Sequence, residues 1–294
     1  MMKKNRKGSI VPDIIICIVL GIGLLLILFP FYNVIIISLA RYEDIAKSPI
    51  YFIPTGFTLD NFRQIFHENK IVRSMGISVI NVALGTLMNL IMTTFAAYAL
   101  SRKGMPFRRF MFYCCIFTMF FSGGLIPWFL VVKNLGLMNN LLSMTLPYML
   151  STFNIILMKN FFDAIPASLD ESARIDGAGE FIVMTLIFVP LSKPIIATVG
   201  LFSAVAFWND WWLANLFISK EELFPLALLL RKAIIDVSVP LSDVGAQFRA
   251  NFRPVQARSI QAAAIIVSIV PIMMVYPFLQ KHFAKGIILG AVKG

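Results

Sequence analysis

The chain alternates long apolar runs with short polar pieces. Runs at 14–39, 71–100, 110–135, 141–162, 195–218 and 260–279 each reach the roughly 20 residues that carry an α-helix across a bilayer. They predict an all-α membrane protein with six transmembrane helices, read as a single membrane domain over 1–294. The first run follows Lys3, Lys4, Arg6 and Lys7 but exceeds the roughly 7–15 residues of a signal-peptide core. It is therefore read as the first span, with Pro30 as a kink. The third run carries Gly123, Gly124 and Pro127 and is expected to bend or break there. Outside the spans, Phe57–Phe62 predicts a short helix capped by Asp60 or Asn61. Leu226–Ile235 predicts a helix on the membrane surface or against a partner.

The most polar stretch between two spans is the loop 166–190. Ser168 and Glu171 have the spacing of a capping box, in which each side chain satisfies a free backbone N–H at a helix start. Asp170 and Arg174 form an acid-before-base pair one turn apart. Gly177 is placed to take the left-handed conformation that ends a helix. A second helix is expected from Glu180 towards Pro190. On pattern alone this is a well-capped solvated hairpin.

Composition narrows the class. The chain is 59% hydrophobic and 14% charged, with a mean hydropathy of +0.82, which leaves no room for a large soluble domain. A net charge of +11 would suggest nucleic acid in a soluble protein. Here the basic residues flank spans and set orientation, so no nucleic-acid partner is expected and lipid is. Six spans put both termini on one face. The short basic pieces at the N-terminus, at Arg102, Lys103, Arg108 and Arg109, and after residue 280 make that face cytoplasmic, together with the loop 166–190. Cys17, Cys114 and Cys115 are read as small buried hydrophobes. His67 and His282 have no metal-ligand spacing, and no metal site is expected. There is no P-loop, no H-E-x-x-H and no nucleophile elbow, so the chain is not expected to be an enzyme.

The order of residues in the loop carries more than its capping. Glu171-Ser172-Ala173, two residues, Asp176-Gly177, nine residues, then Ile187-Phe188-Val189-Pro190 resembles the EAA loop of ABC-importer permease subunits. That family's pattern is E-A-A, two residues, D-G, nine residues and I-x-L-P; Ser172 and Val189 are the departures. Phe121–Pro127, Pro190–Pro194, Trp208-Asn209 and the tail Lys285–Gly294 resemble the carbohydrate-uptake branch. Within it, the chain is most similar to the second permease subunit of oligo- and polysaccharide importers, the alginate importer among them.

The resemblance implies a type I importer permease in a bacterial cytoplasmic (inner) membrane. It implies a second, non-identical permease subunit, two ATP-binding-cassette ATPases that bind ATP and Mg, and an extracytoplasmic solute-binding protein. No cofactor is expected on this chain itself. Glu171, Ser172, Ala173, Asp176 and Gly177 are the residues expected to couple to an ATPase.

For the substrate pathway, the candidates are Trp208, Asn209, Asp210, Trp211 and Trp212, which combine flat apolar faces with hydrogen-bonding groups. The alternative for these is packing against a partner helix plus an interfacial aromatic belt. Asn81 and Asn89 either line the same pathway or hydrogen-bond a neighbouring helix. Asp210 is the one carboxylate deep in an expected span, where a charge is costly, so it is expected to face protein or water. The rival class is an ion-coupled secondary transporter working through Asp210; the lack of a visible internal repeat speaks against it.

Overall fold

The computed structural model describes residues 10–45, 56–67, 69–238 and 258–274. Its principal helices are α1 (Ile10–Leu39), α2 (Asp60–His67), α3 (Asn69–Ser101), α4 (Arg108–Phe120), α5 (Leu125–Asn134) and α6 (Thr152–Asp163). They continue as α7 (Ala167–Ile175), α8 (Glu180–Leu191), α9 (Lys193–Asn209), α10 (Trp212–Phe217), α11 (Leu226–Ser238) and α12 (Arg258–Met274). The residues fall into two compact units, one drawn from Met1–Glu68 and Lys232–Val267, the other from Asn69–Arg231 and Ser268–Gly294.

In the first unit, α1 runs unbroken through Pro30, and its large apolar side chains from Ile14 to Tyr32 stand exposed, as lipid-facing groups do. Among its described side chains the buried ones lie at its end, where Ile36, Ile37 and Ala40 pack with Ile45 and Ala262. The Asn61 amide donates to Ser38 O at 2.9 Å and Ala40 O at 3.1 Å, which satisfies carbonyls that the end of α1 leaves free. Asn61 therefore caps α1 and not its own helix. Nor does Asp60 cap α2: Thr58 Oγ1 accepts the Asp60 N–H at 3.1 Å.

In the second unit, α3 is the axis. Between the large residues buried at its ends, Ile71, Tyr98 and Leu100, its buried face reads Ser74, Ser78, Asn81, Gly85, Asn89, Thr93, Ala97. A soluble helix buries leucines; a helix in lipid gains nothing by that, and associates through small residues and hydrogen bonds. Gly85 shows the closeness this permits. A Cβ there would lie 2.6 Å from the Phe207 ring of α9. At one end, Ala97 and Tyr98 of α3 join Met158 and Phe162 of α6, Val183, Met184 and Phe188 of α8, and Ile195 and Val199 of α9 in one cluster.

Three expected spans are interrupted. The third is α4 plus α5, bent by 111°, with Gly124 at φ +89° in the break. The fourth is a turn at Leu142–Thr145, a 3₁₀ turn at Leu146–Tyr148 and then α6, whose N-cap Ser151 accepts the Asn154 N–H. Pro147 in that turn has no N–H to continue a helix. The fifth is α9 plus α10, broken at Asp210-Trp211. Among the described residues, Ile14–Leu39 and Asn69–Ser101 are long and apolar enough to cross a bilayer alone. The pairs α4–α5 and α8–α9 qualify only when each is taken as one broken span. The sixth run is α12 as far as Met274; its residues 275–279 lie outside the described residues, as does the tail.

Two smaller expectations also change. Cys17 and Cys114 are exposed and Cys115 half-buried, so they are outward-facing and not core residues. The α11 leucines turn inward: Leu226 and Leu228 are buried, and the Leu226 N–H donates to Ser78 Oγ at 2.8 Å. This start of α11 packs inside the chain's own fold, not on a membrane surface.

Candidate functional site

α7 begins two residues before the sequence pattern suggests. Its N-cap is Pro166, so Ser168 and Glu171 lie inside the helix and no side-chain cap bond forms. The expected capping box is absent because Pro166, with φ fixed near −57°, already starts the helix. Ser168 instead offers its carbonyl to the Ser172 hydroxyl at 2.8 Å.

The other end follows expectation. Gly177 has φ +81°, the Gly177 N–H donates to Arg174 O at 3.1 Å and the Ala178 N–H to Ala173 O at 2.9 Å. That pair of bonds is a Schellman cap. Ala173 and Ala178 pack together against the Tyr98–Phe188 cluster, which supplies the apolar contact of that motif.

At 100° per residue α7 divides into two faces. Ser168, Glu171, Ser172 and Ile175 share one, and all are exposed. Asp170, Ala173 and Arg174 share the other. Asp176 and Gly177, exposed at the cap, complete the predicted coupling set. Ile175, which sequence reasoning passed over, is 86% exposed, more than any other large apolar side chain among the described residues. Its signal was available: an isoleucine next to Asp-Gly in a polar helix.

The inward face is held by charge. Arg102, one residue beyond α3, donates to both Asp170 oxygens, Nη1 to Oδ2 at 2.7 Å and Nη2 to Oδ1 at 2.9 Å. Nη2 also meets the Tyr98 hydroxyl, which donates to Glu180 Oε2 at 2.6 Å. Arg102 Nε lies 3.2 Å from the same Glu180 oxygen, an ion-pair distance without hydrogen-bond alignment. Arg174 pairs with Asp170 at 3.2 Å and with Glu180. Two cations and two carboxylates thus close a neutral quartet.

The side chains of Arg102 and Asp170 are 15% and 21% exposed, whereas Arg174 and Glu180 sit on the rim. The Tyr98 hydrogen bond holds the Glu180 carboxyl below its ordinary pKa, against the opposing effect of burial. Burial works against the Arg102 charge, but its bonds to Tyr98 and Asp170 prevail and raise its pKa. The sequence pattern marked Arg102 only as part of a basic turn. Its partner lies 68 residues away, and no local pattern reports that.

The pathway candidates do not form one site. Asn81 is fully buried, accepts from the Thr145 hydroxyl at 3.1 Å and has no partner on its amide nitrogen among the described residues. Asn89 is a hub. It donates to Tyr148 O at 3.0 Å and accepts from Ser203 at 2.7 Å and Asn154 at 3.2 Å. The Trp208 indole donates to Ser268 O at 3.2 Å and lines an apolar cavity of about 300 Å³ with Val82 and Pro271 among its other walls. Asn209 bonds back to Val205 O.

Asp210 is 7% exposed, and its Oδ1 accepts the Trp212 and Leu213 N–H groups at 3.1 and 3.2 Å, capping α10. Its Oδ2 has no hydrogen-bond partner among the described residues. Trp211 and Trp212 meet edge to face at 5.4 Å, and the Arg231 guanidinium stacks 3.3 Å over Trp211.

Apolar helices long enough to cross a bilayer, with one exposed polar helix among them, mark a membrane protein. Residues 89–289 match the family described as the binding-protein-dependent transport system inner membrane component, and the chain belongs to that family. It is 41% identical over 270 residues to the polygalacturonan/rhamnogalacturonan transport system permease protein YtcP of Bacillus subtilis (strain 168), covering 92% of this chain and 94% of that one. It is 41% identical over 294 residues to protein LplC of the same organism, covering 99% and 97%. A chain from the crystal structure of a bacterial ABC transporter involved in the import of the acidic polysaccharide alginate superposes with a TM-score of 0.86 at 30% identity, covering 94% of this chain and 98% of that one. The chain thus has the fold of an ABC-importer permease, as its EAA-like loop implied.

Proposed function

We propose that the chain is one of two non-identical permease subunits of an ATP-driven importer for an oligosaccharide or polysaccharide rich in acidic sugars, alginate among the candidates. Two similar proteins carry such substrates in their names: polygalacturonan in one, alginate in the other. Two ATP-binding-cassette subunits bind ATP and Mg and hydrolyse the nucleotide. An extracytoplasmic binding protein delivers the sugar on the opposite face. Both termini and α7 lie on the cytoplasmic side.

The observation that carries this reading is the two-faced α7. Its outward face, with Glu171, Ser172 and Ile175, is left uncovered by this chain, while its inward face is braced through Asp170. A helix that nothing buries, yet that four charged groups hold in place, is suited to enter a cleft on an ATPase and carry its motion. When the ATPases close on ATP, α7 moves as a rigid lever and shifts the pathway from inward-open to outward-open. Ala173 and Gly177 keep the lever short and stiff.

For the sugar itself, Trp211 and Trp212 are the preferred contacts, since Asn81, Asn89 and Trp208 spend hydrogen bonds on neighbouring helices and Asp210 is buried with one oxygen spent on a helix cap. Ion coupling through Asp210 is the weaker reading, because one of its oxygens is committed to a helix cap.

The test is purification of the tagged chain from its own host in mild detergent, with mass spectrometry of what accompanies it. An ATP-binding-cassette subunit and a second permease are the expected companions. A chain that emerges alone, under conditions that preserve other importer complexes, would refute the assembly.

A further inference from the structure

We propose that Arg102 is the positioning residue through which movement of α7 enters the membrane-spanning body. The inference rests on the coupling role proposed above for α7.

No residue of α7 is buried, so packing alone does not hold it. On its C-terminal side the Gly177 turn leads straight into α8, so that end joins α7 to α8 alone. Beyond the Ala173 contact and the Ile165 link to α6, α7 is held by the charged brace. Within it the exposed Arg174–Glu180 pair is open to solvent screening and joins α7 only to α8. The sheltered Arg102–Asp170 pair joins α7 to the end of α3.

The geometry of that joint fixes an angle as well as a distance. A guanidinium that grips both oxygens of a carboxylate is a planar fork, so turning the carboxylate turns the fork. The Arg102 plane also lies 4.3 Å over the Tyr98 ring and 4.8 Å over the Phe188 ring. Phe188 meets Tyr98 edge to face at 5.2 Å and Phe162 at 5.5 Å. Rotation of α7 therefore presses, through one side chain, on α3, α8 and α6 together. A lysine at 102 would keep the charge and lose both the fork and the flat stacking surface.

The test uses the complete importer in proteoliposomes, with Cys17, Cys114 and Cys115 replaced by serine and a spin label at Val79→Cys. Val79 is half exposed on α3, about 35 Å from Arg102 at 1.5 Å rise per residue. The probe is trapped nucleotide, ATP with vanadate, so no sugar is needed. In the otherwise unaltered chain the label's mobility is expected to change on trapping. Arg102→Gln and the isosteric Asp170→Asn should each cut the fraction of complexes that respond by about tenfold, within the roughly 5–150-fold that coupling between sites spans. Arg102→Lys should fall between, and Lys103→Gln, an exposed charge in the same turn, should respond fully.

A full response in assembled Arg102→Gln or Asp170→Asn would overturn the inference. So would failure of both to assemble, which would make the pair a folding element. No response in the unaltered chain, with the ATPases bound, would overturn the coupling reading and this inference with it.

Discussion

Arg102 and Asp170, 68 residues apart in the chain, meet through two hydrogen bonds of 2.7 and 2.9 Å. The first stands at the end of the longest span and the second on a helix that is otherwise exposed. A sheltered, bidentate pair is among the stronger polar contacts a protein makes, and removing one partner leaves the other to the weaker pairs with Glu180 or Arg174. The helix proposed to receive the ATPase is thus fastened by directed bonds and not by burial.

Gly177 tests the stiffness of that helix. Its φ of +81° is one that side chains with a branched β-carbon rarely adopt. Nothing lies within 4 Å of the Cβ position, so the strain is in the backbone alone. Gly177→Val should cost about 1–2 kcal/mol at the cap and disconnect nucleotide hydrolysis from uptake, while Gly177→Asn retains most coupling. Sugar-stimulated ATPase in proteoliposomes reads both; an unchanged value in Gly177→Val would remove this turn from the lever.

Ile175 is expected to anchor the ATPase. Burying a fully exposed isoleucine yields roughly 1.5–3 kcal/mol. Ile175→Ser should therefore weaken association by about tenfold or more, with the chain's own Tm unmoved because Ile175 contributes nothing to its core. Titration of the ATPase onto the detergent-solubilised permease pair measures it.

Glu180 gives the brace a pH limit. Its folded pKa lies below the ordinary value of 4.5, chiefly through the Tyr98 hydrogen bond. A depressed carboxylate contributes stability that is present above the unfolded pKa and lost as pH falls through the folded one. The Tm gap between the natural chain and Glu180→Gln should hold constant from about pH 8 to pH 5 and close below about 4.5. A gap that widened in acid would contradict the assignment.

Asn89 should matter more to stability than Asn81. Asn89 joins Tyr148, Asn154 and Ser203, and Asn89→Ala strands several buried groups at once, for about 1–2 kcal/mol in a membrane bundle. Asn81→Ala removes one bond to Thr145 and also an amide nitrogen without a partner among the described residues, so its cost should be smaller. Thermal unfolding in one detergent compares them directly.

Asp210 and Trp211 separate capping from sugar contact. Asp210→Asn keeps an acceptor for the Trp212 and Leu213 N–H groups and should assemble normally, whereas Asp210→Ala loses about 0.5–2 kcal/mol of cap. If the proposed sugar contact holds, Trp211→Ala raises the KM for uptake several-fold at normal assembly, and Asp210→Asn leaves it unchanged. Unchanged uptake kinetics in Trp211→Ala would assign this segment to packing.

The sequence alone determined the membrane class, because runs of about 20 apolar residues have few other uses. It also determined the left-handed Gly177 turn, the Asp170–Arg174 pair and the break near Gly124, since each depends on neighbours within a few positions. Local pattern failed where a competing neighbour was stronger. Pro166 started α7 before Ser168 had the chance, and Asn61 turned from its own helix to the free carbonyls of α1. The breaks in the fourth and fifth spans are local, at Pro147 and at the Asp210 cap of Trp212 and Leu213, but the apolar runs continue through them and hide them from a hydropathy reading.

Only the tertiary structure decided the rest. Asn89 became a helix contact because α6 and α9 present Asn154 and Ser203 to it. The Arg102 brace was invisible for the same reason. Hydrophobic periodicity reports which face of a helix is dry, but a salt bridge depends on two separate segments arriving within about 3 Å, and that is set by the packing of the helices between them.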